Sequence, residues 1–312
     1  MKIVFFGSGE FGIPALENLI RAGHEIPAVV SQPDRPAGRG GKTRPTPLRE
    51  KAEEMGLAVT CPEKPNTPEF EAELRAFAPD LCVVVAYGHL IKKPLLAVPE
   101  HGFVNLHASL LPAYRGAAPV PWAILKGESV SGVSVFQLDE RFDTGAVIAT
   151  ASLPILDADT SGTYLARLAP LGGRLMEQAV EDIAAGRAAP QPQDHARASA
   201  APKFSKEDGR IDWNLSFAEI ERKVRAFQPW PQAFAMLPTA KGDVRVNIVE
   251  MAPAPAGIDA SGAAPGAILA ADGKTGLVIA TGDKPARLTR LQPEGKRAMT
   301  DTDFVRGTKI QL

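Results

Sequence analysis

The chain has 312 residues, long for a single hydrophobic core, so two domains are the expectation. With 45% hydrophobic and 23% charged residues it has the composition of an ordinary soluble globular protein. No run approaches the roughly 20 apolar residues of a membrane span, and two cysteines exclude a disulfide framework. The formal charge of −1 neither favours nor excludes a nucleic-acid partner, so the distribution of charge matters more than its sum.

Residues 3–6 read as a first strand and not as a signal peptide. A helix over 11–21, ended by Gly23, and a strand over 26–31 follow. From 35 to 51 six basic residues (Arg35, Arg39, Lys42, Arg44, Arg49, Lys51) stand against one acid, Glu50, among Pro36, Gly38, Gly40, Gly41, Pro45 and Pro47. A solvated loop is the plain reading of this stretch, and a phosphate-contacting loop the sharper one. Thr46-Pro47 supplies an N-cap and a first-turn proline for a helix to about residue 55; Thr67-Pro68 does the same for a helix over 69–77. The continuous apolar run 81–86, which contains Cys82, predicts a parallel strand covered on both faces. Strands over 133–138 and 146–149 flank an acidic loop, Asp139 to Gly145. A long helix from about 161 to 184, interrupted at Pro170 and Gly172-Gly173, closes the first domain. Strands alternating with helices predict an α/β fold with a doubly wound, mostly parallel, Rossmann-like sheet.

Residues 189–206 turn to aperiodic Ala, Pro, Gln and Arg, the composition of a linker, which sets the domains at 1–188 and 207–312. Ser216-Phe217-Ala218-Glu219 matches a capping box opening a helix to about 227. Short strands over 244–251, 267–270, 277–280 and 286–291 then predict a small, OB-like β-barrel. From Lys203 to Leu312 there are 16 basic and 13 acidic residues, a net +3, against 19 and 23 in the remainder. Basic character therefore gathers in the small domain and the early loop.

Chemistry concentrates in Phe103-Val104-Asn105-Leu106-His107-Ala108-Ser109-Leu110-Leu111-Pro112. On a strand Asn105 and His107 fall on one face and Val104 and Leu106 on the other. Polar neighbours inside an apolar strand need partners, which suggests the lining of a cleft. With Asp143 in the acidic loop they would polarise a carbonyl, hold an oxyanion and move a proton, a reaction centre for acyl transfer. Each also has a bland alternative: a turn Asn, a satisfied core His, a turn-shaping Asp. Gly7-Ser8-Gly9-Glu10-Phe11-Gly12 matches a dinucleotide fingerprint, so a nicotinamide-binding protein is the rival. Against it, no acid ends the second strand, where the ribose would need one, and Glu10 sets a carboxylate near the pyrophosphate. A tight turn shaping a pocket floor is the preferred reading. No trio of residues has a metal-site spacing, and His24, His101 and His195 fall in loops, read as surface.

The ten-residue motif, then Arg115-Gly116-Ala117-Ala118-Pro119 and Asp143-Thr144-Gly145, resembles the folate-dependent formyltransferases. Gln32-Pro33-Asp34-Arg35-Pro36, Ala86-Tyr87-Gly88, Pro202-Lys203-Phe204, Ile211-Asp212-Trp213 and Phe227-Gln228-Pro229-Trp230-Pro231 extend the resemblance over nearly the whole chain, closest to the branch acting on methionyl-tRNA. Ser8-Gly9-Glu10, Ala113-Tyr114 and His89 depart from the family pattern. The resemblance implies Asn105, His107 and Asp143 as catalytic residues, with Asp143 sustaining the charge of His107. It implies 10-formyltetrahydrofolate as cosubstrate, held by Phe11, Tyr87, Gly88, Leu90, Ile91, Ser109, Leu110, Leu111, Pro112, Leu138 and Asp139, without a metal. It implies initiator methionyl-tRNA as acceptor, contacted by Arg35, Arg39, Lys42, Arg44, Arg115, Lys203 and Lys206, in a cytoplasmic monomer. Formylation of an amino sugar nucleotide, hydrolysis of formyltetrahydrofolate, and a non-catalytic nucleic-acid-binding module are the alternatives.

Overall fold

The computed structural model describes residues 1–36 and 43–311; Arg39 and Lys42 lie outside the described residues. The chain divides into two compact units, Met1–Pro119 with Val130–Pro154 and Tyr164–Pro202, and Val120–Ser129 with Ile155–Thr163 and Lys203–Leu312.

The first unit carries β1 (Lys2–Gly7), β2 (Glu25–Val30), β3 (Arg35–Pro36), β4 (Thr43–Arg44), β5 (Val59–Thr60), β6 (Leu81–Val85), β7 (Phe103–His107), β8 (Val130–Gln137) and β9 (Val147–Pro154). Seven of these form one sheet in the order β5-β2-β1-β6-β7-β8-β9. The pairings from β5 to β7 are parallel, and β8 and β9 complete that edge antiparallel. The strands β1, apolar after Lys2, and β6, apolar throughout, lie at the centre, where both faces are covered and every β6 residue is buried. The strand order reverses between β1 and β6, so a crevice opens outside their carboxyl ends, the usual place for a ligand in such a sheet.

The helices are α1 (Ile13–Arg21), α2 (Pro47–Glu54), α3 (Pro68–Ala76), α4 (Lys93–Leu96), α5 (Pro119–Leu125) and α6 (Ser161–Ala184), followed by α7 (Phe217–Ala226) and α8 (Asp301–Gly307). Thr46 and Thr67 cap α2 and α3 as their sequence predicts, each hydroxyl accepting from the third amide onward. Pro170, Gly172 and Gly173 do not end α6. A Cβ on Gly172 would stand 2.7 Å from Leu106 Cδ2, and one on Gly173 would stand 2.9 Å from Pro14 C. The two glycines are thus the residues that let α6 lie close against β7 and α1.

In the second unit β10 (Phe234–Leu237), β11 (Val244–Pro253), β12 (Ile268–Asp272), β13 (Gly276–Ile279), β14 (Ala286–Pro293) and β15 (Met299–Thr300) form an antiparallel sheet in the order β10-β11-β14-β13-β12, with β15 on β14. Register shifts in the β11–β14 and β12–β13 pairs bend it, and the sheet curls into a half-barrel of OB-like form. Ile220 and Val224 of α7 and Phe304 of α8 fill its core with Val246, Ile248, Leu277, Leu288 and Leu291. The capping box predicted at Ser216 and Glu219 forms in full at the start of α7. Asp301 is 2% exposed and accepts from Leu277 N, Arg287 Nε, Arg287 Nη2 and Thr302 N. Burial pushes its carboxyl upward, but the Arg287 bond, the Leu277 amide, the Arg287 charge and the Thr302 amide outweigh it and hold the group below the usual value of 3.8. No helix among the described residues is long and apolar enough to cross a membrane.

Candidate active site

The carboxyl end of β7 delivers Asn105 and His107, as the alternation of its side chains requires. His107 is 7% exposed, with its ring edge-on to Phe136 of β8. Its Nε2 lies 2.9 Å from the carbonyl oxygen of Tyr114. A carbonyl only accepts, so Nε2 carries the proton of that bond and Nδ1 is the nitrogen that faces Asp143. Nδ1 stands 3.7 Å from Asp143 Oδ2, inside ion-pair range and beyond hydrogen-bond length. The same Oδ2 accepts from the backbone N–H of Gly116 at 2.7 Å. Asp143 is itself 9% exposed and sits at φ 53°, while Tyr114 sits at φ 60° and Ala86, which follows β6, at φ 50°. Left-handed backbone at non-glycine residues is costly and gathers where side chains must be aimed. Asn105 Oδ1 is buried and accepts from no protein group among the described residues.

The structure therefore brings His107 and Asp143 into direct contact, with Asn105 on the same strand face two residues away. A carboxylate beside an imidazole beside an amide can stabilise negative charge on an oxygen and exchange a proton with an incoming nucleophile. Sequence reasoning missed the groups that hold this pair: the Tyr114 carbonyl, the Gly116 amide and the Gln193 side chain. The first two act through the backbone, which no residue identity reports, and Gln193 lies in a stretch without periodicity.

The other predicted residues fall in several settings. Phe11, Tyr87, Ile91 and Leu111 are buried; Tyr87 and Ile91 join the core cluster of Phe6, Phe70, Val84 and Phe103, and Leu138 packs against it. Gly88 sits at φ 85°, where a Cβ would stand 2.7 Å from Gln32 Nε2, and that Nε2 donates to the Tyr87 carbonyl. Leu90 presents its carbonyl to Asn66. The Ser109 hydroxyl donates to Ala113 O, and Leu111 N donates to Ser134 Oγ of β8, so the segment from Ser109 to Pro112 is braced at both points. Leu110 packs beside Gly132. Asp139 accepts from Arg141 N and Thr144 Oγ1, closing the Asp143 loop on itself. Tyr87 Oη and His89 Nε2 are buried without a partner among the described residues, and burial pushes the Tyr87 phenol up.

Arg35 and Arg44 oppose each other across β3 and β4, and both are exposed. Like charges in cross-strand register repel, a cost that an anion would relieve. Arg49 and Lys51 are neutralised nearby, by Asp34 and Glu53 and by Glu17. Arg115 binds Gln193 Oε1 through Nε and Nη2 and meets His195 Nδ1 at 3.1 Å. Lys203 and Lys206 are exposed in the second unit. His101 and His195 are exposed as expected, but His24 is half-buried, with Nδ1 3.2 Å from the amino terminus. Among the described residues no three His, Cys, Asp or Glu side chains form a metal-ligating group. A cavity of about 330 Å³ in the second unit, whose lining includes Thr160, Thr163, Gln232 and Asn247, holds none of the predicted residues.

The formyl transferase family model matches residues 1–180, and the model of the formyl transferase C-terminal domain matches 203–309. The chain belongs to the formyl transferase family. It is 43% identical to a methionyl-tRNA formyltransferase of Parafrankia sp. over 310 residues, covering 99% of this chain and 97% of that protein. It is 41% identical to the methionyl-tRNA formyltransferase of Desulfotalea psychrophila over 310 residues, covering 99% and 94%. Among solved structures, HypX from Aquifex aeolicus in complex with tetrahydrofolic acid superposes with a TM-score of 0.67 at 19% identity. That match covers 98% of this chain and 47% of HypX, so the formyl transferase fold seen here spans about half the length of that protein.

Proposed function

We propose that this chain transfers the formyl group of 10-formyltetrahydrofolate to the α-amino group of methionine on initiator tRNA. The observation that carries the reading is the contact of His107 with Asp143 beside Asn105, in a family member whose relatives at 43% and 41% identity are named for that activity. The acceptor amine attacks the formyl carbon, a C–N bond forms, and the bond from that carbon to the donor nitrogen breaks. Asn105 and the charged form of His107, through Nδ1–H, donate hydrogen bonds to the oxygen that gains charge. Such donors are worth roughly 3 kcal/mol each when pre-aimed. Asp143 accepts the proton leaving the amine, directly or through water, and the departing nitrogen takes up a proton in turn.

The residues fit a reduced folate. Phe11 and Ile91, which come after the ends of β1 and β6 in the chain, are buried and apolar, and Leu138 packs against the same core cluster as Ile91. Three buried polar atoms of β7 and of the segment after β6, Asn105 Oδ1, Tyr87 Oη and His89 Nε2, have no partner among the described residues, and a ligand rich in N–H groups and heteroatoms would supply them. Bound there, the folate supplies an activated formyl group. Arg35, Arg39, Lys42, Arg44 and Arg115, with Lys203 and Lys206 of the second unit, would meet tRNA phosphates. A monomer in the cytoplasm belongs to the same reading.

The test is to incubate the protein with 10-formyltetrahydrofolate and charged initiator tRNA and to look for formyl-methionine, with charged elongator tRNA as control. Formyl-methionine from the initiator alone is expected. Formate release without an acceptor, or formylation of an amino sugar nucleotide instead, would replace this reading with one of its alternatives.

A further inference from the structure

The chain between the two domain-model matches, residues 181–202, runs back over the first unit. At one end Gln191 and Val147 exchange backbone hydrogen bonds, Val147 N to Gln191 O at 2.9 Å and Gln191 N to Val147 O at 2.8 Å. Two residues on, Gln193 is 8% exposed, and its Nε2 donates to Asp143 O at 2.9 Å and to Gly145 O at 2.7 Å. Its Oε1 accepts from Arg115. At the other end Arg115 N donates to Ser199 O, Ala201 N to Arg115 O, and Tyr114 N to Ser199 Oγ. A Cβ on Gly116 would stand 2.7 Å from Ala201 O, so the two backbones are in close contact.

The two loops gripped in this way are the ones that set the catalytic pair. The loop at 114–116 gives His107 its Tyr114 carbonyl and gives Asp143 its Gly116 amide. The loop at 143–145 holds Asp143 in left-handed backbone, and Gln193 bonds to the carbonyl of Asp143 itself and to that of Gly145, on either side of Thr144. We infer that residues 191–201 are a positioning strap for the His107–Asp143 pair, with Gln193 as its principal positioning residue and Ser199 as a second. Gln193 reaches the reacting atoms only through the backbone of Asp143. It does its work by fixing the left-handed turn from which the carboxylate meets Nδ1. Two buried carbonyls would lose their donor if the amide were removed, and the turn would relax. A displacement of about 1 Å in a catalytic group lowers turnover by roughly a hundredfold.

The inference rests on the formyl-transfer reading for its kinetic arm, so the experiment pairs kinetics with a signal that needs no substrate. Gln193→Leu, close in volume, should lower kcat by about ten- to a hundredfold, leave KM for 10-formyltetrahydrofolate within about twofold, and shift the ¹⁵N resonances of the His107 imidazole. Ser199→Ala, at an exposed position, should lower kcat about fivefold, the worth of one hydrogen bond, with the same resonances moved; Ser199→Thr should keep both near wild type. Unchanged kcat and unchanged His107 resonances in Gln193→Leu and Ser199→Ala overturn the strap. So does a loss of kcat that merely tracks lost thermal stability while the resonances of the folded fraction stay put. A wild-type protein inactive in formylation but with His107 resonances that respond to Gln193→Leu would sink the formyl-transfer reading and leave the strap standing.

Discussion

Asp143→Asn isolates the charge of the carboxylate from its shape. The amide oxygen can still accept from Gly116 N, now at 2.7 Å, so the loop keeps its main anchor and its φ of 53°. What is lost is a negative charge 3.7 Å from His107 Nδ1, on a pair whose side chains are 7% and 12% exposed. At that separation and an effective dielectric of about 20, the attraction between unit charges is about 4 kcal/mol. That is close to a thousandfold in rate if all of it is expressed in the transition state. Loss of the proton acceptor acts on the same step, while solvent relaxation around the neutral amide offsets part of the effect, so kcat should fall by about a hundred- to a thousandfold. The assay is single-turnover formylation of methionyl initiator tRNA by rapid quench, with tRNA affinity measured separately by filter binding. Affinity should stay within about twofold. A kcat within about threefold of wild type would refute the role given to Asp143, because no charge so placed could then matter to the step.

Replacing Arg35 and Arg44 together by Ala should raise KM for tRNA and reduce the slope of log affinity against log salt by one to two, leaving folate affinity unchanged; equal loss of both affinities would contradict the separation. Asp301→Asn breaks the buried pair with Arg287 and should destabilise the second unit by about 3 kcal/mol, read from chemical denaturation. Because the folded-state carboxyl titrates below 3.8, its contribution is complete above about pH 4 and is lost as pH falls below that value; the acid limb of the wild-type melting curve should be steeper than that of Asp301→Asn. His24 is pulled below its usual 6.5 by burial first and by the amino-terminal charge second, against the opposing Glu181 and Glu177. The unfolded chain then binds the proton more readily, so stability is full above about pH 6.5 and declines below it; His24→Gln should flatten the melting temperature between about pH 7.5 and 5.5, and an unchanged slope would rule out His24 as the group responsible.

Most of the first sheet was legible because its signals are local. Thr46-Pro47 and Thr67-Pro68 fix helix starts through one hydroxyl and one ring, and the unbroken apolar run in β6 has no stable place except between two covered faces. The Asn105–His107 spacing was informative for the same reason, since strand alternation alone puts both on one face. Less was legible where identity is set by tertiary contact. β9 runs on to Pro154, well beyond its apolar start, because its later residues alternate half-buried and exposed along a sheet edge. β10, two residues beyond Gln228-Pro229-Trp230-Pro231, and the short helices α5 and α8 carry too few residues for a periodic pattern to emerge. β3 and β4 are two residues each, and only their pairing reveals that Arg35 faces Arg44. The strap at 191–201 reads as linker because its bonds to the first unit are mainly backbone bonds, and Ala, Pro and Ser there show no burial pattern. Gly116 stood inside a recognised motif, yet its amide became meaningful only when Asp143 Oδ2 was found against it.

The most direct measurement is a rapid-quench comparison of wild type, Asn105→Ala and His107→Ala on 10-formyltetrahydrofolate and methionyl initiator tRNA at saturating concentrations. The account predicts formyl-methionine from the wild type, and rates at least about a hundredfold lower for each variant, with tRNA binding nearly intact. Near-normal single-turnover rates in His107→Ala, from a folded protein that binds tRNA, would contradict it.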